Sequence, residues 1–314
     1  MRSIGSLIDA IGRTPLVPLT HVARDLPSVV LAKCEHMNPG GSVKDRIARA
    51  IVDDAEARGV LAPGATLIEA TAGNTGLGLA LLAAARGYGL VCVLPEKMSV
   101  DKRVALAAAG AEVVVVPNAP PSSPENFQNV ARRLADERGW FLTDQFENSA
   151  NPRAHEETTG PEIFEQARGD IGAFVAGAGT GGTLTGVGRF LARAAPRARV
   201  VLADPIGSGL ARWVTEGVVG ADAPYAVEGI GGSVPPKNLD RAVVREAESV
   251  GDDESFATTR RLWREEGLFV GGSAGTAVAA ALRVAARGDV EGPVVVLLPD
   301  SWDRYRHEPW ARSR

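Results

Sequence analysis

The alternation of short apolar runs with segments of helical spacing is the feature that most restricts how this chain can fold. Most of the runs are apolar throughout, which is typical of strands covered on both faces and therefore of parallel sheets. The predicted strands cover residues 29–35, 66–71, 89–95, 111–117, 172–177, 198–205, 268–272 and 293–300. The predicted helices cover residues 43–58, 75–86, 99–109, 124–138, 153–168, 183–195, 253–266 and 275–286. This alternation predicts an α/β fold of doubly wound, mostly parallel sheets.

A chain of 314 residues, 45% of them hydrophobic, can build two such lobes. The formal net charge of −4 comes from charges of both signs mixed along the chain, which argues against a nucleic-acid or membrane partner and favours small molecules. Neither a signal peptide nor a run of ~20 apolar residues is evident. Cys34 and Cys92 lie within apolar runs, so we expect buried thiols, no metal site and a cytoplasmic protein.

Four polar loops occupy strand-to-helix positions or lead into a helix. In open α/β sheets, ligands collect at the carboxyl ends of the strands, where helix N-termini present free N–H groups. We therefore expect these loops to contribute to one site. They are NPGGSVKDR (38–46), EATAGNTG (69–76), GAGTGGT (177–183) and VGGSAGT (270–276).

The third of these loops has two interpretations. Gly177, Gly179 and Gly182 satisfy G-x-G-x-x-G, and the acidic Asp204 closes the next apolar run, as in a dinucleotide-binding fingerprint. The hydroxyls within the loop instead suit a terminal phosphate monoester, which offers three oxygen atoms. On its own, the loop discriminates weakly between these ligands.

The first loop contains Lys44. Ser42 is predicted to be the N-cap of the following helix, which places Lys44 in its first turn. There the macrodipole disfavours a positive charge by about 0.3–1 kcal/mol, which favours the nucleophilic amine of a Schiff-base lysine. A solvated lysine is the alternative, although Gly40 and Gly41 let the backbone approach a ligand and so favour function.

The second and fourth loops extend this pattern. The small residues after Thr71 expose N–H groups at a helix start, which suits a carboxylate, and Asn74 can hold a ring oxygen. Ser273 is predicted at an N-cap, where it caps the helix or faces a heterocyclic nitrogen. A plain glycine-rich turn and a plain capping serine are the alternatives. Taken together, a lysine, a phosphate cradle, an amide and a hydroxyl describe a site for pyridoxal 5′-phosphate.

The motifs in this order resemble the cysteine synthase and cystathionine β-synthase family of fold type II pyridoxal-phosphate enzymes, and most closely the catalytic core of cystathionine β-synthase. They are NPGGSVKDR, GNTG, NPRAHEETTGPEI, GTGGTLTG, VEGIG and GGSAG, and the resemblance extends over residues 11–305. It implies a tryptophan synthase β-like fold with two lobes. Residues 1–11 and 36–150 are expected to form a smaller, mobile lobe that binds the substrate carboxylate. Residues 12–35 and 151–314 are expected to form the larger lobe with the phosphate loop.

The resemblance also implies roles for individual residues. Lys44 matches the Schiff-base lysine and proton carrier, Asn74 lies beside the cofactor's ring oxygen, and Ser273 faces the pyridine nitrogen. His155 is expected to be a structural hydrogen-bonding residue. The implied phosphate loop consists of Gly179, Thr180, Gly181, Gly182 and Thr183. The implied substrate-binding residues are Thr71, Ala72, Asn74, Thr75, Gln145 and Gly229.

The implied reaction is a β-replacement. A serine at the pyridine nitrogen makes the ring a weaker electron sink than an aspartate would, which favours loss of a β-leaving group. We therefore expect a thiol to replace the leaving group of L-serine or O-acetyl-L-serine through an aminoacrylate, giving L-cystathionine when homocysteine is the acceptor. A cysteine synthase that makes L-cysteine from O-acetylserine and sulfide is the alternative. A serine or threonine dehydratase and a nucleotide-binding protein without pyridoxal phosphate rank below both.

The chain also departs from the family pattern. Glu228 and the GGSAG loop resemble cystathionine β-synthases, whereas residues 232–234 are Gly-Ser-Val where those enzymes typically carry Tyr, Asp and Phe. Ala72 replaces the serine of most family members. A homodimer is expected from the resemblance. Because the chain stops shortly after Tyr305, we expect neither haem nor adenosylmethionine control.

Overall fold

The protein is described by a computed structural model that covers residues 5–71, 73–120 and 122–312. The chain forms two compact units. The first comprises Met1–Ile11 and Asn38–Ala150, and the second comprises Gly12–Met37 and Asn151–Arg314. Each unit has its own sheet, and the strands of both sheets are mostly parallel. The predicted α/β class is confirmed.

Strands and helices alternate along most of the chain. The strands are β1 (Leu16–Pro18), β2 (Val30–Cys34), β3 (Thr66–Ala70), β4 (Gly89–Pro95), β5 (Glu112–Val116), β6 (Phe141–Leu142), β7 (Ala173–Gly177), β8 (Arg199–Pro205), β9 (Glu246–Val250) and β10 (Val294–Leu298). The helices are α1 (Lys44–Ala57), α2 (Asn74–Arg86), α3 (Val100–Ala108), α4 (Phe127–Arg138), α5 (Ala150–Ala154), α6 (Gly160–Gln166), α7 (Gly182–Ala194), α8 (Leu210–Glu216), α9 (Asp252–Arg261), α10 (Gly272–Ala286) and α11 (Pro309–Arg312). Single turns of 3-10 helix cover Leu7–Ala10, Glu35–Met37 and Trp302–Tyr305, and single turns of π-helix cover His155–Thr159 and Leu262–Glu266.

The sheet of the first unit is covered on both faces. Within the described residues it has four parallel strands in the order β5-β4-β3-β6. Successive side chains of a strand point to opposite faces. Leu67 of β3 accordingly packs with residues of α1, α2 and α3, whereas the next residue, Ile68, packs with residues of α4. The predominantly apolar strands of this unit follow from that double coverage.

The sheet of the second unit brings three loop-bearing strands side by side. Its six strands in the described part of the chain have the order β1-β2-β10-β7-β8-β9, and every pair is parallel except β1 with β2. All five residues of β10 are buried, as is most of the alanine-rich helix α10. The carboxyl ends of β10, β7 and β8 therefore lie next to one another at one edge of the sheet.

The structure departs from the predicted elements at several places. The predicted strand 268–272 is wrong: Val270 forms only an isolated antiparallel bridge with Ser301, because the chain enters α10 at Gly272. The short strands β1 and β6 were not predicted. Strand β9 was also not predicted, because its glutamates mask the strand pattern. It lies at a sheet edge, where Glu246 pairs with Arg199 of β8. The predicted helix 153–168 is interrupted by the π-helical turn His155–Thr159.

Candidate cofactor and substrate site

Lys44 is the first residue of α1 in the first unit. Its backbone N–H donates to Oγ of Ser42 at 3.2 Å, so the serine caps the helix with its side chain. The residue in the N-cap position is Val43, however, which corrects the predicted position by one residue. Asp45 reaches back and accepts a 2.5 Å hydrogen bond from the backbone N–H of Gly40. This bond closes the glycine loop in front of the lysine.

The loop after β3 forms a helix start that is open to a ligand. The hydroxyl of Thr71 accepts from the backbone N–H of Gly73 at 3.2 Å, and Gly73 is the N-cap of α2. A Cβ placed on Gly73 would have no neighbour within 4 Å among the described residues. The first N–H groups of a helix lack partners inside the helix, which makes this end of α2 suitable for a carboxylate. Ala72 lies outside the described residues.

Gln145 is brought to this helix start by the segment that follows β6. Its Oε1 accepts a 2.6 Å hydrogen bond from the hydroxyl of Thr75, in the first turn of α2. Its backbone N–H donates to Oε2 of Glu69 at 3.0 Å, and the Thr143 hydroxyl donates to the same carboxylate oxygen. Burial raises the pKa of Glu69 to about 7, although these hydrogen bonds lower it. Glu69 and Thr143 were not predicted; the acidic residue inside the apolar run TLIEAT was the available signal.

Lys44 and the loop between β3 and α2, which we call the carboxylate loop, are neighbours in the first unit. Helix α2 packs closely on α1 because residue 78 is a glycine: a Cβ there would lie 3.1 Å from the carbonyl oxygen of Lys44 and 3.3 Å from Cβ of Ala48. Asn74, the first residue of α2, is one helical turn before Gly78. The structure thus brings the predicted residues of this unit together: Lys44, Thr71, Asn74, Thr75 and Gln145.

The predicted phosphate loop connects β7 to α7 in the second unit. Gly181 is the N-cap of α7 and has a φ of +83°, a conformation that favours glycine. A second loop crosses it: the backbone N–H of Gly231 donates to the carbonyl of Ala178 at 2.9 Å. A Cβ on Gly179 would collide with the carbonyl oxygen of Gly229 in that second loop. Gly179 is therefore required for the loop that carries Gly229 to pass this close.

Two side chains contact the hydroxyls of the phosphate loop. Nδ2 of Asn151 donates to Oγ1 of Thr180 at 2.9 Å, and Nε2 of His155 lies 3.2 Å from Oγ1 of Thr183. The expectation that His155 is a hydrogen-bonding residue is confirmed, but its partner on the phosphate loop was not predicted. No local sequence signal indicates that pairing, because the two residues are 28 positions apart.

Asp204 is not placed as a dinucleotide site requires. It lies at the end of β8 and is fully buried, and its Oδ2 accepts from the backbone N–H of Ala211 in α8 at 2.8 Å. Burial raises the pKa of this carboxyl group to about 6. Because the side chain faces the interior, it is unable to bind a ribose hydroxyl. The dinucleotide interpretation of the glycine loop is therefore wrong.

Ser273 lies at the start of α10, at the same sheet edge as the phosphate loop. The N-cap of α10 is Gly271, so Ser273 is the second helical residue rather than the predicted cap. The backbone N–H of Gly271 donates to the carbonyl of Asp300, just after β10, and β10 pairs with β7. The buried Ser273 hydroxyl thus lies in a helix start, where it can pair with a neutral heterocyclic nitrogen.

The remaining sequence features have structural roles. Burial raises the pKa of the Cys34 and Cys92 thiols to about 12, so neither is a nucleophile at neutral pH. Across the described ranges, no group of three or more His, Cys, Asp or Glu residues is arranged to hold a metal ion. Over the same ranges, no helix combines the length and hydropathy needed to span a bilayer.

Comparisons with known proteins show the family to which the chain belongs. A family model described as pyridoxal-phosphate dependent enzyme matches residues 7–300. A cystathionine beta-synthase of Apis mellifera is 44% identical over 317 aligned residues, which cover 98% of this chain and 62% of that protein. A cysteine synthase of Staphylococcus aureus is 40% identical over 309 aligned residues, which cover 98% of this chain and 97% of that protein. The crystal structure of an O-ureido-L-serine synthase matches with a TM-score of 0.89 and 40% identity, covering 98% of this chain and 95% of that one. The chain thus spans less than two thirds of the Apis mellifera relative.

Proposed function

Because this chain belongs to the family of pyridoxal-phosphate dependent enzymes and is of the cystathionine β-synthase and cysteine synthase type, we propose that it catalyses β-replacement on L-serine or O-acetyl-L-serine. The proposed acceptor is homocysteine, which gives L-cystathionine. One observation carries the proposal: α2 packs against the carbonyl of Lys44, which places an amine-bearing residue beside a helix start suited to a carboxylate. A base beside a carboxylate site is what removal of an amino-acid α-proton requires.

Taken unit by unit, the candidate residues fit parts of pyridoxal phosphate, the cofactor of this family. A phosphate monoester accepts hydrogen bonds, and the start of α7 offers donors: backbone N–H groups and the hydroxyls of Thr180 and Thr183. A Cβ on Gly181 would collide with Leu239, so the loop that forms this cradle requires a glycine there. In the first unit, Lys44 supplies the amine that an aldehyde needs, and in the second, Ser273 supplies a neutral partner for the pyridine nitrogen.

Each proposed role belongs to a stated atom of the chain. Bound at these residues, pyridoxal phosphate supplies an electron sink for the negative charge that develops on Cα of the amino acid. Nζ of Lys44 would hold the cofactor until the amino group of the substrate replaces it, and the freed amine would then remove the proton from Cα. The leaving group would depart from Cβ as water or acetic acid, taking up the proton that the thiol loses when its sulfur adds to Cβ, and Lys44 would return its proton to Cα. The amide of Asn74 binds the ring oxygen. Thr71, Thr75 and Gln145 would orient the substrate carboxylate, and the family resemblance assigns the loop of Gly229 to the substrate amino group.

The acceptor is proposed from residues near Gly229 and Ser273. Glu228 and the GGSAG loop resemble cystathionine β-synthases, which supports homocysteine. Sulfide is the second candidate, because the Staphylococcus aureus cysteine synthase aligns over nearly its whole length. O-ureido-L-serine, named in the matched structure, is a serine derivative substituted at the β oxygen, so hydroxyurea belongs among the acceptors to be tested.

Steady-state rates with two donors and three acceptors test the proposal. L-Serine and O-acetyl-L-serine are each combined with homocysteine, sulfide and hydroxyurea, and the products are identified by mass spectrometry. The expected main product is L-cystathionine, and Lys44→Ala is expected to abolish its formation. Borohydride reduction of the holoenzyme is expected to label Lys44 alone among the lysines. Pyruvate as the main product in the presence of every acceptor would contradict β-replacement and favour a dehydratase.

We also propose that the enzyme is a homodimer in the cytoplasm. The resemblance to the family supports the dimer, and the two buried thiols support a reducing compartment. Light scattering coupled to size-exclusion chromatography measures the mass directly. A value near the 32.7 kDa of one chain would contradict the dimer.

A further inference from the structure

One continuous helical segment contacts both hydroxyls of the phosphate loop, those of Thr180 and Thr183. Asn151 lies in α5, and His155, four residues later, begins the π-helical turn. Nδ2 of Asn151 donates to Oγ1 of Thr180, and Nε2 of His155 lies within hydrogen-bond distance of Oγ1 of Thr183. Asn151 and His155 are at most 1% exposed, so both side chains are shielded from bulk water, whereas Thr183 is half-buried.

Thr159 contacts the second ring nitrogen of His155, on the side of the imidazole away from Thr183. Its Oγ1 lies 2.9 Å from Nδ1 of His155, and Thr159 is fully buried. A neutral imidazole has one N–H donor and one nitrogen acceptor. When the Thr159 hydroxyl donates to Nδ1, the proton of the ring is on Nε2. That nitrogen then donates to Thr183.

We propose that Asn151 and His155 are positioning residues that make the Thr180 and Thr183 hydroxyls donate toward the cofactor phosphate, and that Thr159 selects the imidazole tautomer this requires. The proposal rests on the assignment of residues 179–183 as the phosphate loop. A hydroxyl both donates and accepts, whereas a phosphate dianion only accepts. When a protein N–H already donates to the oxygen of each hydroxyl, the hydroxyl's own proton is available to donate to the dianion. The site is therefore organised before the cofactor binds.

The packing of α7 brings the histidine to the loop. A Cβ on Gly186 would lie 2.7 Å from Cβ of His155 and would collide with the carbonyl oxygen of Pro152. Gly186 is one helical turn after Thr183 on α7. The missing side chain at 186 therefore allows the helices to approach until the imidazole reaches the Thr183 hydroxyl.

A double-mutant cycle on cofactor affinity tests whether His155 acts through Thr183. The dissociation constant of pyridoxal phosphate is measured on apoprotein for the wild type, His155→Leu, Thr183→Val and the double variant. His155→Leu is expected to weaken binding about 10-fold, which is the effect of one hydrogen bond. In the Thr183→Val background, the same change is expected to cost less than about 2-fold. An equal loss in both backgrounds would show that His155 acts by general packing and would overturn the proposal.

Matched variants separate this proposal from a failure of the phosphate-loop assignment. Thr159→Val is expected to weaken binding several-fold, whereas Thr158→Val is expected to leave it unchanged, because the Thr158 hydroxyl donates to the carbonyl of Ala154. Pyridoxal, which lacks the phosphate, is expected to bind all variants equally. Equal weakening of pyridoxal would overturn the proposal. If Thr180→Val and Thr183→Val both leave affinity unchanged, the loop assignment itself is wrong.

Two measurements keep the proposal testable if His155→Leu does not fold. His155→Gln retains a side-chain N–H that can donate, so it is expected to keep the cofactor affinity within about 3-fold. The Asn151→Leu and Thr180→Val cycle repeats the design at the other hydroxyl. In each folded variant with weakened binding, the phosphorus-31 NMR signal of the bound cofactor is expected to shift. An unchanged signal would place the effect away from the phosphate and would overturn the proposal.

Discussion

The hydroxyl of Thr75 donates a 2.6 Å hydrogen bond to Oε1 of Gln145, which links the first turn of α2 to the segment after β6. Both side chains are at most 5% exposed. The Gln145 backbone N–H donates in turn to Glu69, inside β3. The proposed carboxylate loop is therefore held by a chain of bonds that reaches the interior of the first sheet. Such support from behind fixes a binding loop before substrate arrives.

Removal of the Thr75 hydroxyl should weaken substrate binding more than cofactor binding. Thr75→Val breaks the bond to Gln145 and leaves a buried acceptor without its donor, so kcat/KM for the donor amino acid is expected to fall about 10-fold, mainly through KM. Thr75→Ser is expected to restore most of the loss. Thr66→Val, at the opposite end of β3, is the control. Equal kcat/KM for Thr75→Val and Thr75→Ser would contradict a role for the hydroxyl.

The loop that carries Gly229 should depend on one carboxylate. Asp252, at the start of α9, accepts from the backbone N–H groups of Ala226 at 2.7 Å and Val227 at 3.2 Å. Asp252→Ala is expected to loosen the loop and raise the donor KM by about 5- to 10-fold, with cofactor affinity unchanged. Asp253→Ala, which removes an exposed carboxylate from the same helical turn, is the matched control. An identical KM for the two variants would argue against this role.

The glycine-rich loops and the parallel sheets were predictable because their signals are local. The residues of β10 are apolar throughout, and a buried parallel strand requires that composition. Strand β9 was missed for the opposite reason: as an edge strand it carries Glu246 and Glu248, which its position tolerates. Local signals therefore predict central strands better than edge strands.

Which way a side chain points was harder to predict. Asp204 follows a strand just as a ribose-binding acid would, and only the packing of α8 shows that it faces inward. Caps were misplaced because their position depends on backbone dihedral angles: Gly271, rather than Ser273, has the extended conformation of an N-cap. The bond between His155 and Thr183 depends on how two helices pack, which no local pattern in the chain records.

The buried ammonium of Lys33 should contribute much more stability than an exposed ion pair. Its Nζ donates to the Thr14 carbonyl at 2.7 Å, to Glu162 Oε2 at 2.9 Å and to Gln166 Oε1 at 2.9 Å, and its side chain is completely buried. Lys33→Met removes all three bonds and leaves Glu162 poorly compensated. The free energy of unfolding, measured with urea on apoprotein, is expected to fall by about 3–5 kcal/mol.

The control for Lys33 is Arg197, whose ion pair with Glu291 is at the surface, with side chains 89% and 84% exposed. Arg197→Met is expected to change the free energy of unfolding by less than about 0.5 kcal/mol. Adding Glu162→Gln to Lys33→Met is expected to recover part of the loss, because it removes the carboxylate charge that Lys33 neutralises in the wild type. Similar losses for the buried and the exposed pair would contradict the assignment of Lys33 to the core.

Glu69 should make the stability of the protein fall as the pH rises. Burial raises the pKa of this carboxyl group from its ordinary value of 4.5 to about 7, so between these values the folded protein keeps a proton that the unfolded chain releases. The stabilisation is complete below pH 4.5 and is lost as the pH rises through 7. Glu69→Gln removes this titration. The free energy of unfolding of Glu69→Gln minus that of the wild type is expected to rise by about 2–3 kcal/mol from pH 5 to pH 8.

Urea titrations of apoprotein at pH 5, 6, 7 and 8 measure this relative change. Glu112→Gln, at an exposed position of β5, is the control and is expected to keep a constant difference from the wild type. The Thr143 hydroxyl, which now donates to Glu69, also lies 3.3 Å from the Ile68 carbonyl and can turn to that acceptor when the carboxylate is replaced. The variant should therefore fold. A difference between Glu69→Gln and the wild type that does not vary with pH would show that Glu69 is ionised in the folded protein throughout this range.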